Sequence, residues 1–221
     1  MSDNWRTHAK YWSSHYEVHA IDQRNHGKSF HSESFDYEIL AQDVVAYMDA
    51  HKLDKAIVLG HSMGGKTAMT LALKYPDRVR KLIVADIAPK VYDVREKFSN
   101  IIDGLLHLNA NIFTSRTLAD DTLSAFVSDV GVRQFLLKNL AWTEQRTLKL
   151  RCNIEILQHK LTEIGAAPKG VIFEGKTLFL AGRNSDYILE NDHTEIQSYF
   201  PNTTLNWIPN AGHWLHAENP K

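Results

Sequence analysis

Four apolar residues, Ala56-Ile57-Val58-Leu59, run straight into Gly60-His61-Ser62-Met63-Gly64-Gly65, and an amphipathic stretch follows to about Tyr75. This order reads as a strand, a sharp turn with serine at its apex, and a helix. A serine hydroxyl is a poor nucleophile unless it is held clear of its own backbone and presented to a base. Small residues two before and two after the serine permit a strained turn that lifts Oγ above the end of the strand. The amide of Met63, first in the helix, then points to where an oxyanion would form.

Other short β-branched runs, at Tyr16–Asp22, Lys81–Asp86, Thr177–Ala181 and Thr204–Ile208, read as strands. Helical spacing covers Tyr37–His51, Met63–Tyr75 and Leu189–Phe200, with Pro76 and Pro201 ending two of these segments. Alternating strands and helices predict an α/β fold with a mostly parallel sheet flanked by helices. Between Asp86 and Lys176 no strand is evident. Helical segments at Arg95–Asn109, Ser115–Ser128, Val132–Leu140 and Asn153–Ile164 predict a helical cap over the strand ends. The expected organisation is therefore a first part of the core at 1–89, a cap at 90–170 and the rest of the core at 171–221.

Composition bounds the partners. The 221 residues carry 25 basic and 26 acidic side chains, a formal charge of −1, which gives no reason to expect nucleic acid. Cys152 is the only cysteine, so no internal disulfide is possible and a reducing, cytoplasmic setting fits. No apolar run reaches the roughly 18 residues of a spanning helix, so membrane insertion is not expected. The 12 histidines are scattered without a ligand motif, so neither a metal nor another cofactor is expected. Oligomeric state is not legible.

A nucleophilic Ser62 needs a base, and the base needs a carboxylate to orient it. His213, in the glycine-softened loop Asn210-Ala211-Gly212-His213-Trp214 after the last strand, is the best base. Two carboxylates could serve it: Asp86 at the end of its strand, or Asp186 in Gly182-Arg183-Asn184-Ser185-Asp186. Spacing leaves both open.

Taken together, Gly60–Gly65, Asp22-Gln23-Arg24-Asn25-His26-Gly27-Lys28-Ser29, Asp86-Ile87-Ala88-Pro89, Gly182-Arg183-Asn184-Ser185 and Gly212-His213-Trp214 resemble the α/β-hydrolase superfamily, and within it the small YbfF-like serine esterases. The resemblance runs over essentially the whole chain. Many of these hydrolases place the acid where Ser185 stands here. The YbfF-like branch has serine there too and takes its carboxylate from the earlier strand. Carried across, the resemblance implies Ser62, Asp86 and His213 as catalytic residues, with Ser185 as a supporting hydrogen-bond partner of the histidine and Asp186 as the second candidate acid. It implies hydrolysis of a small ester or thioester by acyl transfer. Carbon–carbon bond hydrolases and cofactor-free peroxidases share the machinery and are the alternative.

The chain also departs from the family. Met1-Ser2-Asp3-Asn4-Trp5 resembles the segment that follows the family's His-Gly oxyanion loop, and the first three strands have no counterpart. Glu218-Asn219-Pro220-Lys221 falls about where the last helix should begin. The expectation is a sheet incomplete at the N-terminus, with Met63 as the one recognisable oxyanion donor. A truncated, non-catalytic remnant is the reading from outside the enzymes.

Overall fold

The computed structural model describes residues 1–220. In chain order the helices and strands are α1 (Arg6–Trp12), α2 (Tyr37–Ala50), β1 (Ala56–His61), α3 (Met63–Lys74), β2 (Val79–Ala85), α4 (Val94–Ala110), α5 (Arg116–Ser124), α6 (Val130–Leu137), β3 (Leu140–Trp142), β4 (Leu148–Leu150), α7 (Ile154–His159), α8 (Leu161–Gly165), β5 (Lys176–Gly182), α9 (His193–Tyr199), β6 (Thr203–Ile208) and α10 (Leu215–Glu218). They fall into two compact units. One comprises Met1–Phe35 and Asp93–Thr162, the other Asp36–Tyr92 and Glu163–Lys221.

The second unit is built on a four-stranded sheet in the order β1-β2-β5-β6, parallel throughout. Parallel strands need crossovers, and α3 supplies the one from β1 to β2. Its side chains from Gly65 to Leu73 are all buried, because the helix packs on the sheet and also against α2. The Asp36 carboxylate accepts the Ile39 N–H and caps α2, while Pro76 follows α3 and opens a short 3₁₀ turn. Phe179 of β5 and the neighbouring Phe200 are fully buried with ring centroids 5.6 Å apart.

In the other unit, Asp93, Ser115, Asp129 and Asn153 each cap the helix they precede through a side-chain oxygen. Its helices follow the expected segments, except that Asn153–Ile164 breaks into α7 and α8. Two expectations fail. The interval read as strandless contains the antiparallel hairpin β3–β4, whose turn places Arg146 at φ 58°. Strands of three residues are too short to show a period, and the Thr143-Glu144-Gln145-Arg146 link lacks the glycine that marks a tight turn. Tyr16–Asp22, expected as a strand, forms none. A strand exists only with a ladder partner, and sequence pattern cannot supply one.

Candidate active site

The ladders of β1, β2 and β5 continue one residue past their regular ends, and the site is assembled there. Ser62 N–H donates to Ala85 O at 3.0 Å, and Asp86 N–H donates to Leu180 O at 2.8 Å. Both residues then leave the sheet with positive φ: 52° at Ser62 and 50° at Asp86. Aspartate tolerates this region better than most residues, whereas Ser62, at ψ −121°, carries a conformation few side chains accept.

Two glycines make the turn possible. A Cβ on Gly60 would lie 2.1 Å from the Gly64 carbonyl oxygen, and one on Gly65 would lie 2.5 Å from Ile87. A Cβ on Gly64 would meet nothing within 4 Å. The steric demand thus falls at two before and three after the serine, not two and two.

The expected residues converge. His213 Nε2 lies 3.0 Å from Ser62 Oγ, and His213 Nδ1 lies 2.8 Å from Asp86 Oδ2. Facing a carboxylate, Nδ1 carries the proton and Nε2 accepts the serine hydroxyl. The Asp86 side chain is wholly buried, and three donors surround it. Besides His213, Gly182 N–H donates to Oδ1 at 2.8 Å, and the Ser185 hydroxyl donates to Oδ2. Asp186 is exposed, and the carboxylate on His213 is that of Asp86. Ser185, expected to bond the histidine, instead donates its hydroxyl to Asp86. Ser185→Ala should lower folding stability by about 1.5 to 3 kcal/mol, because its hydroxyl bonds a charged group. Urea denaturation measures this, and turnover should change less than stability because Asp86 keeps His213 and Gly182.

The histidine loop is fixed by residues whose part the sequence did not show. His61, beside Ser62, donates from Nε2 to His213 O at 2.6 Å. Burial holds the His61 imidazole well below the usual histidine range, and the neighbouring His213 and His216 rings push the same way. Gly212 N–H donates to Glu218 at 2.5 Å, and Asn184 N–H donates to Ala211 O at 2.9 Å. Gly182 must be glycine here, since a Cβ would come within 2.4 Å of the Gly212 carbonyl oxygen.

Lys66, one turn into α3, is 1% exposed. Its ammonium donates to the carbonyls of Lys90, Gly165 and Ala166 at 2.9, 2.8 and 2.5 Å. It also lies 4.8 Å from the Tyr92 ring centroid and 5.7 Å from that of Tyr37. Burial pulls the ammonium down to about 7. Nothing in the pattern of a helix marks such a lysine. Only its place on the buried face of α3 could have signalled it.

The family model described as alpha/beta hydrolase fold matches residues 1–220. The chain is 39% identical over 209 residues to the sn-1-specific diacylglycerol lipase ABHD11 of Danio rerio, covering 92% of this chain and 66% of that protein. It is 34% identical over 218 residues to Esterase YbfF of Escherichia coli, covering 99% of this chain and 84% of that protein. Among solved structures, "Marine microorganism esterase" superposes with a TM-score of 0.92 at 37% identity, covering 99% of this chain and 86% of that one. The chain thus spans about two thirds of the length of the first of these relatives. No helix among the described residues is long and apolar enough to cross a membrane. With the parallel sheet, the serine turn and the histidine loop in place, the chain belongs to the α/β-hydrolase fold family and is similar to YbfF-like esterases.

Proposed function

We propose that the chain hydrolyses small carboxylic esters or thioesters through an acyl-serine intermediate. The observation that carries this reading is the unbroken relay from Ser62 Oγ through His213 to the buried Asp86 carboxylate. Ser62 Oγ attacks the substrate carbonyl carbon while His213 Nε2 takes its proton. Met63, as the first residue of α3, has an N–H with no acceptor in its own helix, and it faces the developing oxyanion. The imidazolium then protonates the departing alkoxide or thiolate, leaving the acyl group on Ser62. Water repeats the cycle, releasing the carboxylic acid and restoring the hydroxyl.

The names esterase and lipase borne by relatives support this class of substrate. A fluorophosphonate probe tests the reading directly. The folded protein should be labelled on the peptide that carries Ser62, as located by mass spectrometry, with loss of p-nitrophenyl acetate turnover in parallel. Folded protein that takes up no label would favour a non-catalytic chain.

A further inference from the structure

We propose that Tyr187 is a positioning residue for this hydrolysis, its ring lying flat on the His213 imidazole to hold it between Ser62 and Asp86 and to stabilise the cation it becomes. The two ring centroids are 3.6 Å apart and the planes differ by 14°. Carbon atoms in contact settle about 3.5 Å apart, so this distance leaves almost no sideways slip between the rings. Neutral aromatic pairs avoid that eclipsed sandwich and prefer offset or edge contacts with wider centroid spacing. A cation over a ring face reverses the preference, because the negative face attracts it. In the catalytic cycle His213 becomes a cation when it takes the Ser62 proton. The contact is therefore strongest in the transition state, where strengthening raises the rate.

The other groups around His213 cannot replace this face. The Trp214 ring meets it edge-on at 5.2 Å, and His61 lies tilted by 42° at 4.7 Å. Asp86 holds Nδ1 and Ser62 holds Nε2. His61, itself packed on His216 at 4.7 Å, is held neutral by burial and does not compete as a charge. Burial and the carboxylates of Asp186 and Asp86 raise the Tyr187 phenol, so its ring stays uncharged.

Tyr187 is in turn built into place. Its side chain and backbone are 5% exposed as a residue, and its N–H donates to Ser185 Oγ at 3.2 Å. The Tyr92 hydroxyl donates to Tyr187 O at 2.5 Å and accepts from Ala88 N–H at 2.9 Å. The Tyr92 and Tyr187 rings stack at 5.6 Å. Tyr187 is thereby tied to both segments that surround the Asp86 carboxylate.

The proposal rests on Ser62, His213 and Asp86 acting as described above. Its test is Tyr187→Phe, then the same position carrying mono-, di- and trifluorinated phenylalanine, which keep the shape but weaken the ring face stepwise. Tyr187→Phe should stay within about threefold of wild type, and the fluorinated series should lose turnover progressively, about tenfold in all. The acid limb of the kcat/KM profile should move to lower pH in step, by up to about one unit. Tyr187→Leu, where it folds, should show at least the full loss.

A flat series, in rate and in pH limb, overturns the proposal. A ring needed only for packing would give that flat result. Fluorophosphonate labelling separates the two readings. Labelled protein with a flat series refutes the role of Tyr187 alone, whereas folded wild type that takes no label refutes the relay and this proposal together.

Discussion

Ser62→Ala should abolish labelling and lower ester turnover by about 10⁶, and Asp86→Asn should lower it by about 10⁴. The second loss follows from the proton on His213. With a carboxylate on Nδ1, that nitrogen must donate, leaving Nε2 to accept from Ser62. An amide in place of Asp86 can offer its own N–H to Nδ1, which leaves the proton on Nε2 and the serine without a base. Asp186→Asn should change turnover by less than about tenfold, since Asp186 is exposed and the carboxylate bonded to His213 is that of Asp86. Steady-state hydrolysis of a short-chain p-nitrophenyl ester compares the three. A large loss in Asp186→Asn with Asp86→Asn active would reverse the assignment of the acid.

Lys66→Met should cost about 3 kcal/mol of folding stability without touching the relay. Methionine fills the space of the aliphatic stem but leaves the carbonyls of Lys90, Gly165 and Ala166 buried without their donor. The pH dependence distinguishes this from a loss of packing. The folded ammonium titrates at about 7 while the unfolded one keeps its ordinary 10.5. Between those values the unfolded chain binds more protons at this site. Wild-type stability from this group therefore rises with pH across that window, by up to about 1.4 kcal/mol per pH unit. The burial penalty is fully felt below pH 7. Lys66→Met should lack the rise, so the stability gap between the two proteins should widen from pH 7 toward pH 10. Urea denaturation at a series of pH values measures it, and parallel curves would show that the lysine is not titrating in the folded state.

Much of this was legible because the chemistry sits where the chain changes direction. Gly60 and Gly65 mark the turn around Ser62 after the first strand of the sheet, and Gly212 marks the histidine loop after the last. The strands of the sheet match their expected positions within two residues at either end. The acid was harder, because Asp86 and Asp186 both stand at the close of strands on the same rim, and only resemblance favoured Asp86. In the structure the difference is burial: Asp86 lies under three donors, and Asp186 faces solvent.

What was not legible is whatever depends on distant pairing. Tyr187 reaches His213, and His61 reaches the His213 carbonyl, across 26 and 152 positions of sequence. A tyrosine two residues beyond Ser185, or a histidine inside the turn, has no local signature. The missing strand at Tyr16–Asp22 fails for the same reason, since a strand is a property of two segments and was read from one.

The positive φ angles of Ser62 and Asp86 have a consequence for how such a chain can change. Both residues continue a ladder that would be satisfied by any backbone, yet both adopt a conformation that glycine would enter with less strain. Ser62→Gly and Asp86→Gly should therefore ease the backbone while removing the proposed nucleophile and its carboxylate.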